Sequence, residues 1–397
     1  MRNKRVAIIG TTGLPAKYGG FETLAHHLVD RLNTRFDITV YCSEKYFAKK
    51  QSRPTSFNGA KLVYLPFNAN GYQSIIYDIC SVIHALRNSD VLLLLGVSGA
   101  MILPFVKLFT NKPILVNIDG QEWKRPKWNW FAKKTLRFCE KLAVELSDTV
   151  IADNRIIREY VEDRYKRKDT WLIEYGSDHV VKEKRTSEAI QKYSFLSKPY
   201  AFNVCRIEPE NNVDLILEAY SNRPNQTLVI VGLWDHGNYG VQLKNKYSTF
   251  SNIHLLEPIY NQTELNIIRS NASLYIHGHS AGGTNPSLVE AMGLGLCVVA
   301  FNISYNRETT NHDTVYFRNA EELLNIIDTL DNFKKFEISS KLEKFAKEKY
   351  TWKRVTNMYA MAFEGKDMSV VDLLTEKVAN QHEEKVISNV ENKTIIA

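Results

Sequence analysis

The 397-residue sequence has only five cysteines, at 42, 80, 139, 205 and 297, an odd number with no CxxC pair. That scarcity excludes a disulfide scaffold or a cysteine-based zinc framework, and fits reduced thiols in a cytoplasmic protein. The chain also lacks a DxD pair, a GxGxxG fingerprint and any histidine spacing of a recognised zinc motif. No metal site and no cofactor are therefore expected, and a dehydrogenase reading is weak. Long apolar runs are missing too. Residues 6–10 are too short for the apolar core of a secretory signal. The longest run, from Val91, is broken by Gly96, Gly99 and Pro104 and meets Lys107 short of the roughly 20 apolar residues of a membrane span. It reads as a buried strand over 91–95 followed by a helix.

What is present is unevenly charged. Residues 1–177 hold 27 Lys and Arg against 17 Asp and Glu, a net of +10, whereas residues 178–397 hold 24 against 27, a net of −3. A basic half joined to a near-neutral half implies that one domain faces something anionic: a phosphorylated lipid, a membrane surface or nucleic acid. The length and the 44% hydrophobic content suffice for two cored domains.

The most informative stretch is 277–301, HGHSAGGTNPSLVEAMGLGLCVVAF. Polar and small residues from His277 to Pro286 lead into a helix over 287–292, stopped by Gly293 and Gly295, and 297–301 reads as a buried strand. A glycine-rich loop entering a helix N-terminus leaves backbone N–H groups free for a phosphate or diphosphate. Glu290, one turn inside, suits the hydroxyls of a ribose. Taken alone, the segment is equally an ordinary strand–loop–helix corner.

The run from Pro286 to Gly295, PSLVEAMGLG, resembles the donor-site signature of the GT-B retaining glycosyltransferases of the family-four type. Members usually carry a further glutamate eight residues before the position of Glu290, which contacts the donor sugar; here that position is Gly282. The version Gly282-Gly283-Thr284-Asn285-Pro286 resembles a branch that includes bacterial rhamnosyltransferases of polysaccharide assembly. The resemblance implies an α/β chain with a GT-B fold, two doubly wound Rossmann-like domains facing across a cleft. Residues 1–177 would form the acceptor-side domain, 178–198 a linker, 199–350 the nucleotide-sugar domain, 351–363 a terminal crossover helix and 364–397 a tail.

Along the first domain, a strand over 5–9 runs into a glycine loop and a helix with Leu24, Leu28 and Leu32 at helical spacing. The resemblance places Gly19 and Gly20 against the donor diphosphate. A strand over 112–118 ends at Asp119-Gly120-Gln121-Glu122, and polar residues past the carboxyl end of a parallel strand sit at the cleft of such a sheet. Asp119 and Glu122 are thus candidates to bind an acceptor hydroxyl, or else a turn aspartate and a helix-capping carboxylate. Residues 123–141, WKRPKWNWFAKKTLRFCEK, mix seven Lys and Arg with three Trp and two Phe. Trp123, Lys124, Arg125, Trp128, Trp130, Lys133 and Lys134 are candidates to meet an anionic bilayer interface. A solvated helix face with inward aromatics is the alternative. Nucleic acid is not expected, since no nucleic-acid motif accompanies the segment.

In the second half, Arg206 follows a strand over 200–204, and its planar fork suits phosphate oxygens. The resemblance makes it the diphosphate arginine and puts Asn211, also expected among the donor contacts, where the family has a lysine, so one cation is missing. It also places Ile259 in the nucleobase-holding loop and assigns Gly282, Gly283, Thr284, Asn285, Pro286, Ser287 and Glu290 to the donor, with Asp119, Arg206 and Glu290 as the catalytic set. The activity implied is retaining transfer from dTDP-rhamnose to a lipid-linked sugar or growing polysaccharide, at the inner face of the cell membrane. A sugar-nucleotide epimerase and a non-catalytic nucleotide-sugar-binding protein are the alternatives.

Overall fold

The computed structural model describes residues 2–17, 19–46, 53–125 and 128–367; the expected tail lies outside them from residue 368 onward. Two sheets organise these residues. The first comprises β1 (Lys4–Ile9), β2 (Phe36–Ser43), β3 (Ser56–Phe57), β4 (Ala60–Leu65), β5 (Val91–Leu95), β6 (Ile114–Asn117), β7 (Thr149–Ala152) and β8 (Trp171–Leu172). Its order is β3-β4-β2-β1-β5-β6-β7-β8, parallel except for the short β3–β4 hairpin. The second comprises β9 (Tyr200–Val204), β10 (Thr227–Val231), β11 (Ile253–Leu256), β12 (Leu274–His277), β13 (Val298–Phe301) and β14 (Val315–Phe317). Its order is β11-β10-β9-β12-β13-β14, with every pair parallel.

A parallel sheet needs cover on both faces, which is why these strands are apolar at consecutive positions. On β5, Leu93 and Leu95 enter one core while Leu92 and Leu94 enter the other. The apolar run from Val91 is therefore a buried strand, and it continues through a turn into the helix Leu103–Phe109, as expected. Among the described residues no helix is long and apolar enough to cross a membrane. The stretch expected as a linker is more ordered than its polarity suggested. It contains the helix Ser187–Lys192 and buries Phe195 and Leu196 in the second core, where Phe195 meets the Tyr200 ring at 5.3 Å.

In a doubly wound sheet, ligands bind beyond the carboxyl ends of the strands where the strand order reverses. Those points lie between β1 and β5 in the first sheet and between β9 and β12 in the second. The loops concerned are the ones after residue 9, after 204 and after 277. The final helix, Trp352–Glu364, ties the two halves together. Thr351 caps it by accepting from the Arg354 N–H at 3.3 Å, and Gly365 ends it in the left-handed conformation. It returns to the first domain, where the Asn117 amide donates to Tyr359 Oη at 3.0 Å and Lys4 Nζ donates to the Phe363 carbonyl at 2.9 Å. Trp352 at its start is fully buried, and its indole N–H donates to His179 Nδ1 at 2.9 Å.

Because the Trp352 ring fills a closed site and stacks on His27 at 3.9 Å, truncation leaves a cavity. Trp352→Ala is expected to lower unfolding free energy by about 3–5 kcal/mol, read from urea denaturation. A loss under about 1 kcal/mol would mean the crossover is not a main tie.

Candidate functional site

The two switch points face each other. Gly20 lies beside Pro286: a Cβ added to it would be 3.6 Å from the proline ring and 3.0 Å from Tyr175 Oη. The first glycine loop and the start of the helix Pro286–Gly293 thus sit on opposite sides of one cleft. Glu22 belongs to the same loop region. Its Oε1 accepts from the Thr12 N–H at 2.7 Å and the Thr12 hydroxyl at 2.8 Å. Burial raises its pKa, while the Thr12 bonds and the Arg206 charge pull the other way.

Arg206 stands just past β9, exposed, and its guanidinium makes no hydrogen bond or ion pair among the described residues. Its charge reaches Glu22 on one wall and His279 on the other. Asn211, at the expected lysine position, is buried and donates from its amide to the Arg206 carbonyl at 2.6 Å. It shapes the loop that carries Arg206 rather than facing a ligand, which corrects its place among the donor contacts. Ile259, in the loop after β11, packs against the second core.

Glu290 is held from two sides. Arg269 Nη1 donates to Oε2 at 2.6 Å, and His179 Nε2 lies 3.1 Å from Oε1. Asn266 Oδ1 in turn accepts from Arg269 Nε at 2.9 Å. Burial alone would raise the Glu290 pKa; Arg269 and His179 outweigh it, and the carboxyl sits below its usual range. The His179 Nδ1 accepts from the Trp352 indole, so Nε2 carries the proton that bonds Glu290. A small cavity of about 10 Å³ opens beside this clamp, lined among others by Phe202, Arg269, Tyr275, Ser287 and Glu290.

The glycine loop departs from the expectation in one respect. Gly283 packs directly on Asp153 of the first domain, and the buried Thr284 accepts from the Asn154 amide at 3.2 Å. The Thr284 hydroxyl is thereby spent on the domain seam, whereas the Gly283 amide donates no hydrogen bond among the described residues. Asn285 caps its own helix, accepting from the Ser287 N–H at 3.2 Å and hydroxyl at 2.8 Å. The first-turn amide is thereby satisfied locally. The amides of Gly282 and Gly283 donate no hydrogen bond among the described residues, so the free backbone donors sit earlier in the loop than a bare helix terminus would put them. Gly282 has φ +114°, and the position of its absent side chain is open space. A glutamate there would be strained, so the family carboxylate is excluded by backbone conformation as well as by identity.

Across the cleft, Asp119 and Gln121 both adopt left-handed backbone, φ 56° and 45°. Such residues cost about 1–3 kcal/mol each and cluster at functional loops. The loop is wired to the second domain by Tyr305, whose hydroxyl donates to Gln121 Oε1 at 3.2 Å. Arg125, expected at a membrane surface, is only 6% exposed. It pairs with Glu122, with Glu210 of the second domain at 3.3 Å and with Asp119 at 3.8 Å. A buried guanidinium among three carboxylates cannot meet lipid, and that membrane role is corrected. Trp123 and Trp128 are corrected likewise: both pack on the first core, with their indole N–H groups donating to Glu140 at 2.9 Å and Glu122 at 3.0 Å. Lys124, Trp130 and Lys134 are exposed and Lys133 half-buried.

Several groups at this cleft carried no local signal in the sequence. Arg269 and His179 lie 21 and 111 residues from Glu290 along the chain. His277 and His279 stack at 4.3 Å with rings nearly parallel, and burial depresses both, His277 to about 3. Their Nε2 and Nδ1 atoms, with Glu210 Oε2 and Asp153 Oδ1, are buried and unpartnered among the described residues. Orphaned polar atoms around a cleft mark it as built to be filled.

The Glu290 clamp makes a pH-dependent prediction. Its depressed pKa contributes stability above about pH 4.5 that is lost as pH falls through the folded value. In Arg269→Met burial dominates and the carboxyl pKa rises, so the variant should lose about 3–5 kcal/mol near pH 7 and much less at pH 4.5, where the group is neutral. Unfolding free energies at the two pH values test this; an equal deficit at both would show that the pair is not coupled.

Residues 3–178 match a family described as a domain of unknown function, DUF1972. Residues 185–349 match glycosyl transferases group 1. No curated protein matches the chain. Among solved structures, sucrose-phosphate synthase from Thermosynechococcus elongatus is similar at TM-score 0.75 and 14% identity, covering 91% of this chain and 99% of that one. Anabaena HepE in complex with UDP-glucose is similar at 0.70 and 15%, covering 92% and 100%. A glycosyltransferase from Rickettsia africae ESF-5 is similar at 0.68 and 15%, covering 92% and 99%. Residues 185–349 thus match the glycosyl transferases group 1, in a chain with the two-domain α/β architecture of the GT-B fold.

Proposed function

We propose that the chain transfers a sugar from a nucleoside-diphosphate donor to a lipid-linked sugar or growing polysaccharide at the inner face of an anionic membrane. The observation that carries this reading is the unpaired Arg206 guanidinium at the second switch point, facing both the Glu22 wall and the His279 wall. A free cation at a cleft with unpaired backbone N–H groups suits a diphosphate. Anabaena HepE, similar in fold, binds UDP-glucose. The loop Gly282–Pro286 resembles the rhamnosyltransferase branch, and dTDP-rhamnose is the donor proposed on that basis.

In this reading Glu290, held open-faced by Arg269 and His179, accepts from the ribose hydroxyls. Arg206 and the Gly282 and Gly283 amides meet the charge that builds on the β-phosphate as its bond to the sugar C1 breaks. The acceptor oxygen bonds C1 on the same face, giving retention, and its proton passes to the departing phosphate. Asp119 accepts from the acceptor hydroxyl beforehand and orients it. Arg125 fixes Asp119, Glu122 and Glu210 relative to one another.

The test is transfer of labelled sugar from a donor panel, including dTDP-rhamnose, to membrane lipid extract. Arg206→Ala should reduce turnover at least about tenfold, as a charge-assisted phosphate contact is worth roughly 1.5–3 kcal/mol. Normal turnover in the variant would remove Arg206 from the site. Recovery of an epimerised donor, or donor bound without turnover, would overturn the transferase reading.

A further inference from the structure

The exposed large apolar side chains are unevenly placed. Of the fifteen among the described residues, nine lie on, or in the turn before, three helices of the first domain: Ser74–Asn88, Leu103–Phe109 and Trp130–Leu146. All three cover the same face of the first sheet, contributing Val82, Val106 and Leu136 to one core. They are also tied side by side. Lys107 Nζ donates to Asp148 at 2.6 Å, just past the third helix, and Lys112 Nζ donates to the Leu86 carbonyl of the first. The Asn129 amide donates to Tyr72 Oη at 3.2 Å at the other end. Their outer sides therefore form one surface.

On that surface Phe105, Leu108 and Phe109 stand out from the short helix, the last two 77% and 84% exposed. Beside them the helix Trp130–Leu146 turns Trp130 (73% exposed), Phe131 and Phe138 outward while Leu136, Cys139 and Ala143 face the core. The same outer stripe carries Lys134, Arg137 and Lys141, with Lys134 Nζ 5.1 Å from the Trp130 ring centroid. Six large exposed apolar side chains on two helices that pack against each other make a cluster of the kind that marks an interaction site. Its composition decides between occupants. Protein interface cores are depleted in lysine, whereas aromatic rings interleaved with lysine suit the level of lipid headgroups, with the cations facing anionic phosphates.

We propose that the outer face of the helices Leu103–Phe109 and Trp130–Leu146 docks on an anionic phospholipid bilayer. This docking face is the outer side of a helix whose inner side packs near the buried Trp123, so it is distinct from Trp123, Arg125 and Trp128. Connection to the cleft is short: Asn129 caps the docking helix, and Trp128 bonds Glu122 of the acceptor loop at 3.0 Å. A bilayer on this face would present a lipid-borne acceptor near Asp119, so the inference deepens the glycosyl-transfer reading and rests on it for the identity of the acceptor.

The experiment is flotation of the full-length chain with vesicles of phosphatidylcholine alone or containing phosphatidylglycerol. The wild-type chain should float with the anionic vesicles, less so in 1 M salt, where the screening length falls to about 3 Å. Phe105→Ser/Phe109→Ser/Trp130→Ser/Phe131→Ser and, separately, Lys134→Glu/Arg137→Glu/Lys141→Glu should each reduce the bound fraction at least tenfold at unchanged thermal midpoint. Binding of free nucleoside diphosphate should be unaffected. Wild-type flotation by either variant, or no flotation of the wild-type chain, overturns the proposal. So does a wild-type dimer that the apolar variant converts to monomer without a change in vesicle binding, since the face would then meet a second copy. Vesicle binding lost in the variants while the wild-type chain transfers no sugar leaves the docking face standing and removes the transferase reading.

Discussion

Backbone meets backbone at the centre of this molecule. A side chain on Gly120 would collide with the main chain of Gly282, and one on Gly283 with the Asp153 carboxyl. The two domains can approach this closely only because Gly120 and Gly283 carry no Cβ at these points of contact. The seam is then completed by groups that only a closed arrangement satisfies: Asn154 with Thr284 and Thr309, Arg155 with Glu308 at 2.7 Å, and Arg125 with Glu210. Burial raises the Asp153 pKa strongly, and its unpartnered Oδ1 lies against Gly283.

That constraint explains the unusual composition of the donor loop. Residues that would otherwise be free to wrap a ligand are committed to the opposite domain, and the position for a sugar-binding carboxylate is a glycine with positive φ. Among the described residues, what remains for the proposed donor is concentrated: the Arg206 guanidinium, the Gly282 and Gly283 amides, two stacked histidines and a clamped glutamate. The clamp itself depends on the crossover helix, because Trp352 fixes the His179 tautomer that bonds Glu290. The order of the donor site, the domain closure and the return of the last helix are therefore parts of one network. A substitution at any of them should be felt at the others.

Much of this was legible in the residues. Consecutive apolar positions at 91–95, 149–152, 200–204 and 227–231 are strands with those bounds, since full burial on both faces leaves no other pattern. The helix stopped by Gly293 and the loop before Pro286 stand where the small residues put them. The illegible part is tertiary. Arg125 sits in a basic, aromatic run that reads as a surface, yet three carboxylates from two domains draw it inward. Asn211 reads as a site position and instead holds a loop. Arg269 and His179 acquire meaning only when folding brings them to Glu290. Phe105 and Phe109 read only as part of a helix after a buried strand, because periodicity shows that a helix has two faces without showing that both are apolar.

Where the donor lies is decided most directly by a crystal structure of the full-length chain with a nucleoside diphosphate. The diphosphate is expected within hydrogen-bond reach of the Arg206 guanidinium and the Gly282 amide, with the ribose hydroxyls on Glu290. A nucleotide bound in the first domain alone, or one that leaves Arg206 and Glu290 without contact, would contradict it.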